Sequence, residues 1–306
     1  MISFVIPIYN ENESLNDLHN KIIEAMENIG KEFEILFVDD GSTDGSIDTI
    51  SQKQHQYPHT RAIFFRKNFG KSAALNAGFK EARGDIIFTM DGDLQDDPHE
   101  IPNFLSKLEE GYDLVTGWKV NRKDPLEKRL PSKVFNAITS RISGLDLKDY
   151  NCGFKCYKKE VIQEIRLYGE LHRFIPFLSY KKGFSVAEIP VKHHARKFGH
   201  SKFGWERYVR GFLDLFTVIF ITNYLTRPIH FLGPISLFFF LLGGGIFGYL
   251  IFGRWIFGES IGTSPLFSIS IFLLGSGIQI FTIGLVAELI VHNRERDKIQ
   301  NYSIRD

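Results

Sequence analysis

Gly84-Asp85-Ile86-Ile87-Phe88-Thr89-Met90, followed at once by Asp91-Gly92-Asp93-Leu94-Gln95-Asp96-Asp97-Pro98, is the stretch on which the fold turns. Its first half is a short, apolar run of the kind that forms a buried strand. Its second half crowds carboxylates where a parallel strand would stop. In an open α/β sheet that edge is where ligands bind. Hard oxygen donors at Asp91, Asp93 and Gln95 suit Mg²⁺ or Mn²⁺ held against a diphosphate. The same residues also fit a solvated acidic turn with a capping Asp, so the neighbouring segments decide between the two.

Outward from this point, strand-like apolar runs alternate with amphipathic helical patterns, which predicts an α/β fold with a doubly wound, mostly parallel sheet. Ile2 to Ile8 is the first strand. Leu15, Leu18, Ile22, Ile23, Met26 and Ile29 then recur at helical spacing behind Ser14 as N-cap. Phe33 to Val38 and Ala62 to Arg66 read as strands, and Ser46 to Gln54, Ser72 to Ala82 and Glu100 to Glu109 as helices. Beyond them the pattern loosens into a strand at Asp113 to Trp118, a helix at Leu126 to Ser143 and a late strand at Ser185 to Val191.

Three more segments fall on the ligand edge. Val5-Ile6-Pro7-Ile8-Tyr9-Asn10-Glu11 ends strand one, and Val38-Asp39-Asp40-Gly41-Ser42-Thr43-Asp44-Gly45 ends strand two. Carboxylates there can accept from a base N–H or ribose hydroxyls, while Gly41 and Gly45 allow tight turns. The third segment, Phe65 to Gly78, contains Gly70-Lys71-Ser72. It is not a P-loop, because the first glycine of that pattern would fall at Phe65. Lys71 near a helix start can instead meet phosphate.

The chain has 306 residues, 43% hydrophobic and 24% charged, enough for one or two domains with a sizeable core. A formal net charge of +1 gives no reason to expect nucleic acid as a partner. Cys152 and Cys156 lack the C-x-x-C spacing of redox or zinc pairs and read as reduced cytosolic thiols. His193, His194 and His200 lack the companions of a zinc site. Asn12-Glu13-Ser14 fits a glycosylation sequon that a cytosolic domain would not use. The N-terminus reads as no cleavable signal.

The C-terminal quarter differs. Phe231 to Gly253 carries no charged residue, and Ser260 to Ala287 carries none either. Each exceeds the roughly 20 residues that cross a bilayer. The predicted organisation is a cytosolic domain at 1–203, a juxtamembrane interfacial helical region at 204–228, two transmembrane helices within 229–292 (about 229–253 and 265–290) and a cytoplasmic tail at 293–306. Lysine and arginine flank the pair on its outer ends and put both flanks in the cytoplasm, hence a multi-pass inner-membrane protein in contact with membrane lipids. In Trp205 to Phe220, Arg207 and Arg210 alternate with Phe212, Leu213, Leu215 and Phe216, as in a helix lying among headgroups or on a soluble surface. Glu288, late in the second span, can snorkel or pair with a base. Gly243-Gly244-Gly245 and Gly275-x-Gly277 would permit close helix contacts and leave a homo-oligomer open.

Pro-x-Tyr-Asn-Glu, Asp-Asp-Gly-Ser-x-Asp-Gly, Asn-Phe-Gly-Lys-x-x-Ala-Leu-x-Ala-Gly and Asp-Gly-Asp-Leu-Gln-Asp-x-Pro occur in that order. With them the chain resembles the family 2 glycosyltransferases of GT-A fold. Within these it resembles the polyprenyl-phosphate sugar transferases typified by dolichol-phosphate mannose synthase and the bactoprenol glucosyltransferases. The resemblance implies nucleotide contact by Pro7, Tyr9, Glu11, Asp39 and Asp40, with Asp91, Asp93 and Gln95 around the metal and diphosphate. It also implies metal-dependent, inverting hexosyl transfer from a nucleotide diphosphate sugar (UDP-glucose or GDP-mannose type) to undecaprenyl or dolichyl phosphate. Asp149, in Asp149-Tyr150-Asn151-Cys152-Gly153-Phe154-Lys155-Cys156-Tyr157, matches an acid of the mannose branch at the sugar-acceptor junction, with a catalytic role beside Asp93; the glucosyl branch places its acid where this chain has Gly153. Arg122, Arg129, Ser132 and Lys133, and later Arg196, Lys197, Ser201 and Lys202, resemble acceptor-phosphate contacts; anionic lipid headgroups would select basic residues there as well. A processive polysaccharide synthase and a noncatalytic nucleotide-binding membrane scaffold are the competing readings. The first would use a Gln-x-x-Arg-Trp segment that this chain lacks.

Overall fold

The computed structural model describes residues 1–120, 136–141, 143–194, 213–220, 224, 227–258, 262 and 264–296, and the chain divides into two compact units, Met1–Val218 and Ile219–Asp306.

The first unit is built on β1 (Ile2–Ile8), whose residues pair in parallel with β2 (Phe33–Asp39) on one side and β4 (Ile86–Thr89) on the other. With β3 (Thr60–Phe64), β5 (Leu114–Lys119), β6 (Lys155–Lys158) and β7 (Val186–Val191) the seven-stranded order is β3-β2-β1-β4-β6-β5-β7. β1 leads to β2 on one side, and β4 lies on its other side, so the winding reverses between β1 and β4. A crevice opens at such a switch point, at the carboxyl ends of the strands.

Alternation along β1 explains the layers. Phe4, Ile6 and Ile8 share a core with Leu15, Leu18, Ile22 and Met26 of α1 (Asn12–Ile29) and with Ile101, Phe104 and Leu105 of α4 (Ile101–Glu109). Phe4 stacks on Phe88 at 5.3 Å, and Phe104 meets Phe154 at 4.3 Å. On the opposite face Val5 and Val38 approach Gly78 of α3 (Lys71–Glu81), where an added Cβ would lie 2.3 Å from Val5 Cγ1. α2 (Ser46–Gln56) follows β2, and α5 (Lys159–Glu164) and α6 (Ile175–Lys181) complete the helices after β6, with a 3₁₀ turn at Leu171–Phe174 before α6.

The predicted elements lie within a few residues of the observed ones; the differences are the start of α1, the strand β6, and the helices α5 and α6, which the sequence reading does not predict. Ser14 is not the N-cap: α1 starts at Asn12, and the Ser14 hydroxyl instead donates to the carbonyls of Glu11 and Gly92. β6 was not foreseen. It is four residues long, begins and ends in lysine, and runs antiparallel to both β4 and β5, which makes it the single reversed strand among the described residues. Periodicity cannot find so short a strand when a buried lysine breaks its apolar run. Of the helix expected at Leu126 to Ser143, residues 136–141 are helical and 121–135 lie outside the described residues.

The second unit contains α7 (Ile229–Phe257) and α8 (Pro265–Arg296), of which Ile229–Phe257 and Pro265–Val291 are long and apolar enough to cross a membrane. Both are largely exposed along their apolar length, unlike the core helices of a soluble domain. They pair as an antiparallel hairpin. Ser236 Oγ donates to the Gly277 carbonyl at 2.9 Å, and Gly243 lies against Ser270 and Leu273, where a Cβ would find backbone and side-chain atoms at 3.0 Å. Glu288 accepts from the Ile229 N–H at 3.2 Å and so satisfies a donor at the first turn of α7.

Candidate active site

The loops after β1 and β2 are laced together by their own side chains. Asn10, in the left-handed region at φ 54°, donates its N–H to Ser42 Oγ at 2.9 Å and accepts from the Thr43 N–H at 2.7 Å. The N–H groups of Glu11 and Asn12 donate to Ser46 Oγ and Asp44 Oδ2 at 3.2 and 3.0 Å. These bonds tie residues 10–12 to the loop that follows Asp39, while Pro7 and Ile8 are held opposite Val38 and Asp39 by the β1–β2 pairing. Asp39 is fully buried, and its Oδ2 accepts from the N–H groups of Gly41 and Ser42 at 3.1 and 3.0 Å. Its Oδ1 has no hydrogen-bond partner among the described residues. A buried acceptor left so is costly unless a ligand completes it.

Asp40 is used differently. Its carboxylate accepts from the N–H groups of Phe69 and Gly70 at 2.6 and 2.9 Å and so shapes the turn that leads into α3. Burial raises its pKa against those two bonds. Gly41, at φ 73°, allows this close approach, because a Cβ would lie 2.5 Å from the Lys67 carbonyl carbon.

Lys71, the first residue of α3, forms an ion pair with Asp91 Oδ1. Burial disfavours the charged form of Asp91, but Lys71, Lys119 and Lys155 outweigh it and hold the carboxyl well below the usual carboxylate range. Behind Asp91 lies Gly153. An added Cβ there would sit 2.5–2.6 Å from both carboxylate oxygens and the carboxylate carbon, so glycine is what lets Asp91 occupy its place. Lys155, buried on β6 opposite Thr89, donates to the Cys152 carbonyl. Burial lowers its pKa. Cys152 and Cys156 are free and buried, and burial pushes the Cys152 thiol up to about 12.

The acidic loop is wound tightly. Leu94 is buried in the left-handed region at φ 61° between Asp93 and Gln95, a conformation that costs about 1–2 kcal/mol outside glycine. Asp93 is buried, and its Oδ1 accepts from the Gln95 N–H at 3.2 Å. Asp96 is buried with Lys119 Nζ 3.8 Å away; burial, opposed by Lys119 and aided by Asp91 and Asp93, raises it to about 6. Gln95 turns toward the segment after β7: its carbonyl accepts from the His194 N–H at 2.9 Å, and Nε2 faces the His194 carbonyl at 3.5 Å. Asp97 accepts from His99 and His194, and Asp96 bridges His193. These histidines therefore brace a loop and do not gather as metal ligands.

Among the described residues, no three His, Cys, Asp or Glu side chains converge on one point. The rim fits a divalent cation only as a shared ligand set, with one or two carboxylates from Asp91 and Asp93 and the remaining oxygens from diphosphate and water, the way Mg²⁺ is usually held.

Asp149 is buried; its Oδ1 accepts from the Asn151 N–H at 3.1 Å, and its own N–H donates to Glu188 at 2.9 Å. Arg122, Arg129, Ser132, Lys133, Arg196, Lys197, His200, Ser201 and Lys202 lie outside the described residues. Sequence reading missed Lys119, Lys155 and His172. His172 Nδ1 lies 3.0 Å from Ser72 Oγ in the first turn of α3, and its N–H donates to the same hydroxyl at 3.2 Å. Burial, then the neighbouring Lys71 and Arg173, keep this imidazole well below its ordinary pKa and therefore neutral. Its segment carries no strand-end position or periodicity, so only the tertiary fold brings it to α3.

The chain is similar to several known proteins. The sequence profile of glycosyl transferase family 2 matches residues 3–166. The dodecaprenyl-phosphate galacturonate synthase of Rhizobium johnstonii is 40% identical over 312 residues, covering 99% of this chain and 92% of that protein. The undecaprenyl-phosphate 4-deoxy-4-formamido-L-arabinose transferase of Shewanella sediminis is 36% identical, covering 94% and 86%. Among solved structures, glucosyl-3-phosphoglycerate synthase from Mycobacterium tuberculosis in complex with Mn²⁺, UDP and phosphoglyceric acid shares the fold at a TM-score of 0.57 and 15% identity, covering 72% of this chain and 78% of that one.

Proposed function

The chain belongs to glycosyl transferase family 2, and from that premise we propose that it transfers a sugar from a nucleotide diphosphate sugar to a polyprenyl phosphate at the cytoplasmic face of a membrane. Residues 1–203 are the cytosolic catalytic domain, 204–228 an interfacial region, 229–292 the membrane hairpin and 293–306 a cytoplasmic tail. The observation that carries the reading is the acidic rim at the switch point, Asp91 and Asp93, set against Lys71 on one side and the buried, half-satisfied Asp39 on the other. The two curated relatives, each named for a polyprenyl-phosphate sugar product or acceptor and matched over nearly the whole chain, support the acceptor class.

In this reading Asp39 Oδ1 accepts from the base, the backbone of Pro7 and Tyr9 and the side chain of Glu11 frame the nucleoside, and Asp40 acts by holding the Phe69–Gly70 turn. Asp91, Asp93 and the nearby Gln95 face the diphosphate. Mg²⁺ or Mn²⁺ bound to the rim would neutralise charge on the leaving group. A phosphate oxygen of the acceptor attacks the anomeric carbon, the bond to the nucleotide diphosphate breaks, and configuration inverts. A phosphate monoester has its second pKa at about 6, so the acceptor is largely dianionic at neutral pH and needs little base catalysis. Positioning dominates, with Asp149 at the sugar-acceptor junction and Arg122, Arg129, Ser132, Arg196, Ser201 and Lys202 on the acceptor phosphate.

The donor is a UDP- or GDP-linked sugar. The test is transfer of radiolabel from a panel of such donors into organic-extractable lipid with undecaprenyl or dolichyl phosphate. A single labelled lipid product supports the reading, a long polymer favours a processive synthase, and no transfer with any donor leaves the scaffold.

A further inference from the structure

We propose that Lys71 is a built-in counter-ion for Asp91 that is handed from Asp91 to the donor diphosphate, so that divalent cation and nucleotide bind this site cooperatively. The inference rests on reading the rim as the diphosphate site. Three observations carry it. First, Lys71 Nζ is bonded to Asp91 Oδ1, an oxygen that a rim-bound cation would need, and an ammonium and a divalent cation repel each other at one carboxylate. Second, of the three lysines around Asp91, Lys71 alone is free to move. A third of its side chain is exposed, whereas Lys155 is buried and bonded to the Cys152 carbonyl, and Lys119 is nearly buried beside Asp96. Third, Lys71 has somewhere to go. It begins the 11-residue α3, whose N-terminus favours an anion, and the turn is pinned by Asp40 on the Phe69 and Gly70 amides and by His172 on Ser72. The flexible stem can therefore swing while its helix stays in place.

With no third His, Cys, Asp or Glu side chain gathered with Asp91 and Asp93 among the described residues, a cation arriving alone meets two carboxylates and a competing ammonium. One arriving with the diphosphate gains phosphate oxygens and loses the competitor. Lys71 is thus a positioning residue that couples the two ligands.

The test is Mn²⁺ binding, followed by the loss of the free-ion paramagnetic resonance signal, to the full-length protein in detergent, with Mn²⁺ alone and with UDP or GDP. Wild type should bind Mn²⁺ at least about tenfold more tightly with the matching nucleotide. Lys71→Gln should bind nucleotide-free Mn²⁺ about fivefold more tightly than wild type, the upper range for a partly exposed charge pair, and should lose most of the nucleotide-induced gain. Lys71→Arg, which keeps the cation, should behave as wild type. Nucleotide-free Mn²⁺ affinity unchanged or weaker in a Lys71→Gln protein that melts like wild type overturns the hand-over while the transferase reading stands. Failure of wild type to take up Mn²⁺ with either nucleotide overturns both.

Discussion

Replacing Gly153 by alanine tests whether the position of Asp91 limits the reaction. The new Cβ would stand 2.5–2.6 Å from the carboxylate atoms of Asp91, almost an ångström inside the 3.4 Å at which ordinary contact begins. Neither side can give way easily: Gly153 lies two residues before β6 and its carbonyl accepts from Thr89 Oγ1 at 2.9 Å, while the carboxylate is held by Lys71. Overpacking of this kind costs about 1–3 kcal/mol, which in a domain of this size lowers Tm by roughly 2–4 °C per kcal/mol. The effect on rate should be larger, because a displacement near 1 Å at a reacting centre costs about 100-fold. The assay is kcat/KM for transfer of labelled sugar into extractable lipid, run on Gly153→Ala, Asp91→Asn and the double variant. If glycine acts through Asp91, the double variant should be little worse than Asp91→Asn alone, since effects on one shared contact do not add. Gly153→Ala activity within threefold of wild type, or fully additive losses, would refute the reasoning.

Asp39→Asn should keep the bonds to Gly41 and Ser42 through its carbonyl oxygen while placing an amide where the orphan acceptor now sits. Nucleotide-sugar KM should rise by about 1–3 kcal/mol, roughly 5- to 150-fold, with Tm almost unchanged; an unaltered KM would remove Asp39 from the nucleotide contacts. Asp93→Ala should abolish transfer, whereas Asp149→Asn should leave a measurable rate because the acceptor is already ionised; a metal-independent wild-type enzyme would defeat the first expectation. His19 is fully buried, with Nε2 2.8 Å from Thr60 Oγ1, and burial, aided by Lys53 and His59, lowers its pKa to about 4. The unfolded chain then takes up the proton first, so stability is intact above pH 6.5 and is lost as pH falls toward 4, by about 3 kcal/mol at most. In denaturant titrations wild type should lose this stability between pH 6.5 and 4 while His19→Leu lacks that part of the slope, and a wild-type profile flat over that window, or the same slope in both proteins, would contradict it. Glu288→Ala should lower the Tm of the protein in micelles by uncapping α7 at Ile229, and Glu288→Gln, which can still accept, should restore it; equal melting of all three would show that the cap contributes nothing.

Much of the site was legible before any coordinates because strand ends carry their own signal. An apolar run stopping at Asp91, and again at Asp39, marks the ligand edge of a parallel sheet once several such runs end in carboxylates. Lys71 was legible for the same reason, since it opens a helix on that edge. Lys119, Lys155 and His172 were not. Each lies in a segment whose local pattern is that of an ordinary strand or loop, and its meaning comes from a neighbour 20 or more positions away: Asp96 for Lys119, Thr89 for Lys155, Ser72 for His172. The division of labour between Asp39 and Asp40 was equally hidden. The two are identical in type and adjacent in sequence, but successive side chains of an extended segment point to opposite sides, so one stays at the buried strand end and the other reaches the turn before α3.

By itself, the order of residues determined the alternating α/β layers, the carboxylate edge and the two apolar helices, because hydrophobic period and run length are local properties that burial reads directly. The tertiary structure alone decided that β6 enters the sheet reversed, that Gly153 leaves room for Asp91, and that Lys71 pairs with Asp91. Those outcomes depend on which atoms come within a few ångströms of each other, and distances between remote parts of a chain exist only once the sheet has closed around them.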